Sequence, residues 1–183
     1  MNTFVLDTSE LKKRIPEIRA GDTVILSGTA YTARDAAHKR IMQLLDEGKE
    51  PPFPIENSVI YYAGPTPAKP SQAIGSVGPT TSGRMDPFAP RLLKLGLAAM
   101  IGKGERNDAV IDALRENHGI YLCAIGGAGA LYSRSITAAE EIAFHDLGCE
   151  SVKKLTLKNF KVIAAIDMYG GNLFVSGRKA YAV

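Results

Sequence analysis

The sequence predicts an α/β domain in which a partly parallel sheet is layered against helices. Three observations carry this. Through the middle of the chain, short apolar and β-branched runs alternate with amphipathic segments, the pattern of strands joined by crossover helices. Both ends are rich in strand-forming runs, so a further group of strands should pack outside the alternating unit. The chain has 183 residues, 45% apolar and 22% charged, which suffices for a buried core and reads as one domain over 1–183.

The elements follow in order. "LDTSELKKRI" is a short helix capped by Asp7, Thr8 or Ser9 and stopped before Pro16. Residues 22–28 form a buried strand, and residues 33–48 an amphipathic helix closed by Gly48. After the "PPFP" break, residues 58–65 are a β-branched and aromatic strand ended by Gly-Pro. Residues 65–80 read as loop with an extended piece at Ile74–Val77. The next helix takes Asp86 as its cap and Pro87 as its first residue, and ends at Gly96. A strand at 97–102, a helix at 107–119, a strand at 120–127 and a helix at 136–148 come next. Strands at 152–157, 161–167 and 172–175 close the chain, with a turn at Gly170–Gly171.

Charge and cysteine usage exclude several classes. A net charge of +3, with no basic residues interleaved with aromatics, does not point to nucleic acid. The N-terminus carries acid early and has no apolar h-region, and no apolar run reaches bilayer length. The expectation is a cytoplasmic protein with no membrane contact. Cys123 and Cys149 lie far apart, outside any CxxC or Cys/His cluster. They read as free thiols in a reducing compartment and cannot by themselves ligate zinc or an iron–sulfur cluster.

In α/β sheets, ligands sit beyond the carboxyl ends of the strands. The segments that follow the expected strands here contain "TARDAAHKR", "GPTTSGR", "KGER" and "AGALYSR". They place Arg34, Thr80, Thr81, Arg84 and Lys103 on what could be one rim. Such a set suits a small polyanion such as a dicarboxylate, since arginine grips a carboxylate in a bidentate fork and lysine adds a point charge. Each residue also has a bland reading. Arg34 and His38 could form a solvated helix face with Lys39 and Arg40, and Thr80 to Ser82 could satisfy backbone donors. Lys103 could be a surface turn, and "GGAGA", which includes Gly127, a tight strand–helix turn. His118 and His145, near expected helix ends, read as structural. Two nucleotide motifs fail: Gly104 follows Lys103 and Leu97 stands where a Walker A loop needs glycine, and "GGAGALY" lacks the third glycine of GxGxxG.

Taken together, "TARDAAHKR" (32–40), "YYAGPTPAKP" (61–70), "GPTTSGRMD" (78–86), "IGKGER" (101–106) and "AIGGAGAL" (124–131) carry a resemblance. In this order, over essentially the whole chain, they resemble the β subunit or C-terminal domain of iron–sulfur-dependent class I fumarate hydratase. The L-tartrate dehydratase β subunit is a close relative. The resemblance implies a swivelling β/β/α domain and reversible hydration of fumarate to L-malate. It also implies an α subunit as partner, which carries a [4Fe–4S] cluster on three cysteines, and no metal on this chain. By matching positions, Arg34, Arg84 and Lys103 would bind the substrate carboxylates. Thr80 would face the carbon that gains or loses a proton, and His38, Thr81 and Gly127 would support them. The alternatives are the tartrate branch and a stand-alone anion-binding module.

Overall fold

The computed structural model describes residues 1–182. The chain opens with a strand, β1 (Thr3–Asp7), that the sequence reading does not separate from the helix after it. Helix α1 (Thr8–Arg14) is capped as expected: the Asp7 carboxylate accepts the Ser9 N–H at 2.9 Å. Pro16 lies in the 3-10 turn that ends it. Strand β2 (Thr23–Thr32) leads to α2 (Asp35–Asp46), which is closed near Gly48 at φ +67°. Then come β3 (Val59–Tyr61), α3 (Ala89–Lys94), β4 (Ala99–Gly102), α4 (Asp108–Glu116) and β5 (Ile120–Cys123). A short α5 (Gly129–Tyr132), β6 (Ile136–Ala143), β7 (Val152–Ile166) and α6 (Leu173–Tyr181) complete the order.

The seven strands run β1-β2-β3-β4-β5-β7-β6, with a further pairing of β2 to β7. Strands β1 to β5 are mutually parallel, and β7 is antiparallel to β2, β5 and β6. On β2, β1 pairs with Thr23–Ser27 and β3 with Tyr31 and Thr32, so these two share one edge. Strand β7 takes the other edge, from Thr23 to Tyr31. The pairings therefore close a circuit through β2, β3, β4, β5 and β7. Side-chain alternation splits each short strand between two cores. Val59, Tyr61, Ile101 and Leu122 face the interior of the circuit with Leu26, Phe160 and Val162. Ile60, Tyr62, Met100 and Tyr121 face the helices, where Ile41, Leu92, Val110 and Leu114 cover them. Burial on both faces explains why these strands read as continuous apolar runs. The expected α/β fold with a partly parallel sheet is what forms, but the strands from the two ends of the chain join that same sheet instead of packing outside it.

Four expectations are corrected. The helix expected at 136–148 is β6 followed by 3-10 turns over His145–Glu150. Its Ala and Glu residues favour helix, but the long edge of β7 captures the segment and sets Glu140 opposite Lys154 and Glu141 opposite Lys153. The strands expected at 152–157 and 161–167 are one strand, which accommodates a bulge at Asn159 (φ +53°), whose N–H donates to Ser27 Oγ at 3.1 Å. The strand expected at 172–175 is the start of α6, because the Asn172 side chain accepts the Phe174 N–H and caps a helix. Asp86 caps nothing: its carboxylate is held by Arg106, so residues 82–85 form a 3-10 turn and Pro90, not Pro87, lies in the first turn of α3. In addition, Ile74–Val77 is buried at both ends but forms no strand.

Candidate functional site

Arg34 occupies the junction between β2 and α2. Its backbone is extended (φ −118°, ψ −164°) and supplies no cap of its own to the helix. Its carbonyl accepts two bonds from His38, one from the backbone N–H at 2.8 Å and one from Nδ1 at 2.9 Å. A carbonyl can only accept, so Nδ1 carries the proton. The His38 ring is fully buried, edge-on to Tyr62 at 5.4 Å and stacked near Phe88 at 5.5 Å. Burial pulls its pKa down to about 4, so it is neutral near pH 7. His38 therefore braces Arg34 from behind and is no part of a solvated face.

The Arg34 guanidinium is held from two sides. Its Nη2 lies 3.2 Å from Glu150 Oε1 and 3.9 Å from Asp35 Oδ2. It passes flush against Gly64, where a Cβ would stand 2.9 Å from Nη1. Glu150 also accepts the Ala36 N–H at 3.1 Å, so one remote carboxylate caps α2 and orients Arg34. Across Asp35 lies the second arginine: Arg84 Nε is 3.3 Å from Asp35 Oδ1. Arg84 Nη2 then donates to Thr80 Oγ1 at 2.5 Å. The result is a continuous row, Arg34–Asp35–Arg84–Thr80.

Lys103 joins this row through the backbone. Thr81 and Lys103 form a parallel bridge, and the Lys103 carbonyl accepts the Ser82 N–H at 2.9 Å. The lysine side chain runs beside Gly126, where a Cβ would be 3.7 Å from Nζ. Thr81 is exposed at the same edge. Gly127 is exposed with φ +81° and approaches no neighbour, so it serves the turn, while Gly129 packs against Gly78. Arg34, Thr80, Thr81, Arg84 and Lys103 thus share one rim, open to solvent at Arg84 and Lys103. On the Gly64 side the rim adjoins a cleft of about 380 Å³, lined in part by Thr66, Glu141, Cys149 and Lys153.

Chemically, the edge offers guanidinium and ammonium donors beside a hydroxyl, groups of the kind that can hold an oxyanion. An arginine only donates, so Thr80 Oγ1 accepts from Arg84 and its own proton points elsewhere. A cation at that oxygen lowers the cost of removing its proton. Behind the loop, Arg106 Nε donates to Asp86 Oδ1 at 2.6 Å, and Asp86 Oδ2 accepts the Asn107 N–H at 2.8 Å. The Arg106 guanidinium lies over the rings of Tyr121 at 4.9 Å and Tyr62 at 5.5 Å.

Sequence reasoning missed Asp35, Glu150 and the Asp86–Arg106 pair. Asp35 was adjacent to Arg34 in the same motif, a signal that was there to use. Glu150 comes from the turn before β7, and only the fold brings it to α2. Among the described residues, no group of three or more His, Cys, Asp or Glu side chains could hold a metal ion. The free thiols of half-buried Cys123 and exposed Cys149 do not fit an iron–sulfur cluster, which takes several clustered thiolates. No helix among the described residues is long and apolar enough to cross a membrane.

Comparison with known proteins adds to this geometry. A model of the fumarase C-terminus family matches residues 1–177. The chain is 35% identical over 167 residues to Fumarate hydratase 2 of Leishmania major, a match covering 90% of this chain and 29% of that protein. It is 36% identical over 167 residues to Fumarate hydratase class I, anaerobic, of Escherichia coli (strain K12), covering 90% of this chain and 30% of that protein. It is also 36% identical over 169 residues to the Putative L(+)-tartrate dehydratase subunit beta of Methanocaldococcus jannaschii, covering 89% of this chain and 87% of that protein. The chain spans less than a third of the two fumarate hydratases and most of the tartrate dehydratase subunit.

Proposed function

The chain belongs to the fumarase C-terminus family, and from that premise we propose that it is the β subunit of a hydro-lyase that reversibly hydrates fumarate to L-malate. The observation that carries this is the row Arg34–Asp35–Arg84–Thr80, set on an open rim beside Lys103. The division of labour rests on likeness to a β subunit. The chain is similar to a tartrate dehydratase β subunit over 87% of that subunit, and by that likeness an α subunit would supply the remainder of the site. Residues 1–183 would act as one swivelling domain against that subunit, in the cytoplasm.

Removing a proton beside a carboxylate generates an aci-carboxylate dianion, which is costly in water. Arg34 and Arg84 would hold the substrate carboxylates, and Lys103 would place charge near the developing enolate. Each preorganised donor of this kind contributes roughly 3–4 kcal/mol to transition-state stabilisation. Thr80, with Arg84 already donating to its oxygen, would move the proton at the substrate carbon, as base or as relay. The [4Fe–4S] cluster implied for this class would reside on the α subunit, because Cys123 and Cys149 do not furnish a site for it. Tartrate dehydration to oxaloacetate is the second reading, supported by the match to most of a tartrate dehydratase subunit.

The test is anaerobic assay of this chain, a candidate α subunit and their mixture with fumarate and with tartrate. Hydration of fumarate by the mixture, and by neither chain alone, is the expected result. Tartrate turnover without fumarate turnover would move the assignment to the second reading. Fumarate binding with no turnover in any pairing would leave an anion-binding module.

A further inference from the structure

We propose that Ser82 and Tyr121 are positioning residues that fix Lys103 relative to the Thr80–Arg84 loop. The catalytic consequence rests on the function proposed above. The structural claim rests on a hydrogen-bonded chain whose direction is settled at both ends. Lys103 N–H can only donate, and its acceptor is Ser82 Oγ at 3.1 Å. The Gly104 carbonyl can only accept, and its donor is Tyr121 Oη at 2.9 Å. Ser82 Oγ and Tyr121 Oη are themselves 2.9 Å apart. The one phenolic proton is committed to Gly104, so Ser82 must donate to Tyr121. The sequence of bonds is Lys103 N–H to Ser82, Ser82 O–H to Tyr121, and Tyr121 O–H to the Gly104 carbonyl.

Four features make this a clamp on Lys103. Ser82 grips it twice, because the Ser82 N–H also donates to the Lys103 carbonyl at 2.9 Å. Ser82 lies between Thr80 and Arg84, so whatever holds it holds the loop that carries both. Gly102 is a glycine for the same reason: a Cβ there would run into Ser82 Oγ and the Tyr62 ring. The anchor is rigid, since Tyr121 is a fully buried residue of β5 with its ring among the helix-side core and under Arg106. Burial also pushes the Tyr121 hydroxyl well above its ordinary range, so it remains a donor. Lysine has a long flexible stem, and its backbone is the part the fold can place. Supporting hydrogen bonds of this kind set how precisely a charged group meets its substrate.

The test uses Tyr121→Phe and Ser82→Ala, with Gly102→Ala as an independent way to displace the Ser82 oxygen. In the chain alone, amide hydrogen exchange at Lys103 should quicken by about tenfold or more in each variant, while core amides of β4 stay protected. In the assembly with the α subunit, kcat should fall by about tenfold or more with KM within about twofold, because the arginines still bind the carboxylates. Tyr121→Phe keeps the ring in the core and guards against a variant that merely fails to fold. Lowered melting temperature with kcat unchanged, or unchanged exchange at Lys103, would overturn the proposal. If the wild-type assembly turns over no dicarboxylate, the proposed function fails, and exchange at Lys103 still decides whether Ser82 and Tyr121 clamp it.

Discussion

Two arginine–aspartate pairs sit on either side of the same loop, and burial gives them opposite properties. Arg106 and Asp86 meet at 2.6 Å with side chains 0% and 7% exposed, and the second Asp86 oxygen takes the Asn107 N–H. Arg84 and Asp35 meet at 3.3 Å with side chains 47% and 31% exposed, and Asp35 also lies 3.9 Å from Arg34. The first pair left water on folding, so neither member can change partner without stranding a buried charge. The second is screened by solvent and contributes little to stability, so a carboxylate arriving from outside can compete with Asp35 for the guanidinium. The same two residue types act as a fastening in one place and stay free to exchange partners in the other. What separates them is depth, which no motif records.

The contrast breaks most readily at the closed pair. Arg106→Leu should destabilise the chain by about 3–5 kcal/mol in urea unfolding, because Asp86 is then left buried and unpaired. Arg84→Leu should cost less than about 1 kcal/mol. Equal losses at the two positions would remove the distinction.

His38 belongs with the closed side, although only one helical turn separates it from Arg34. Its folded pKa, about 4, lies below the unfolded value of 6.5 because burial disfavours the imidazolium. Between those two values the unfolded chain binds more protons than the folded one, so stability rises with pH there. Acidification from pH 6.5 to 4 should therefore remove stability on the order of 3 kcal/mol. His38→Gln should flatten that part of the profile. A wild-type curve already flat between pH 6.5 and 4 would place His38 in water.

On the open side the readout is turnover. Thr80→Val in the reconstituted assembly should lower kcat by about a hundredfold, the usual scale for a lost proton-transfer group. Melting temperature should change little, since the Thr80 contact that supports the loop is its backbone N–H to the Tyr62 carbonyl at 2.7 Å. A large drop in melting temperature with kcat retained would make Thr80 a structural residue.

The sequence made the open side more legible than the closed one. Arg34 and Lys103 follow the ends of β2 and β4, where a topological rule gathers them. Thr80 and Arg84 were gathered through an expected strand at 74–77 that does not form, and the loop instead reaches the rim because the Thr80 N–H pairs with the Tyr62 carbonyl just past β3. Asp86 was misread because a local rule, Asp before Pro as a helix cap, competes with a long-range partner at Arg106 that no local rule can see. The segment 136–148 fails for the same reason: Ala and Glu propensities are local, and the pairing of Glu140 and Glu141 with β7 lysines is not. Glu150 bears on Arg34 only because β6 and β7 return the chain to α2. Where the chain's own neighbours decide a residue's role, the sequence conveys it. Where burial or a distant strand decides, the sequence does not.

The smallest effect is expected at Thr81, and it sharpens the comparison within the loop itself. Thr81 is exposed and extended (φ −64°, ψ 118°), a conformation that valine adopts readily. Its backbone bridges Lys103, whereas Arg84 donates to the hydroxyl of Thr80, its neighbour. Thr81→Val preserves the branched shape and the bridge and removes only the hydroxyl. Stability should stay within about 0.5 kcal/mol of wild type, the range of a surface substitution, and kcat should stay within about twofold. Set beside Thr80→Val, it separates two hydroxyls one residue apart by orientation alone. A loss at Thr81 equal to that at Thr80 would mean that any change in the loop disables it, and the assignment of proton transfer to Thr80 would lose its support. An effect at Thr80 alone ties the chemistry to the oxygen that Arg84 holds.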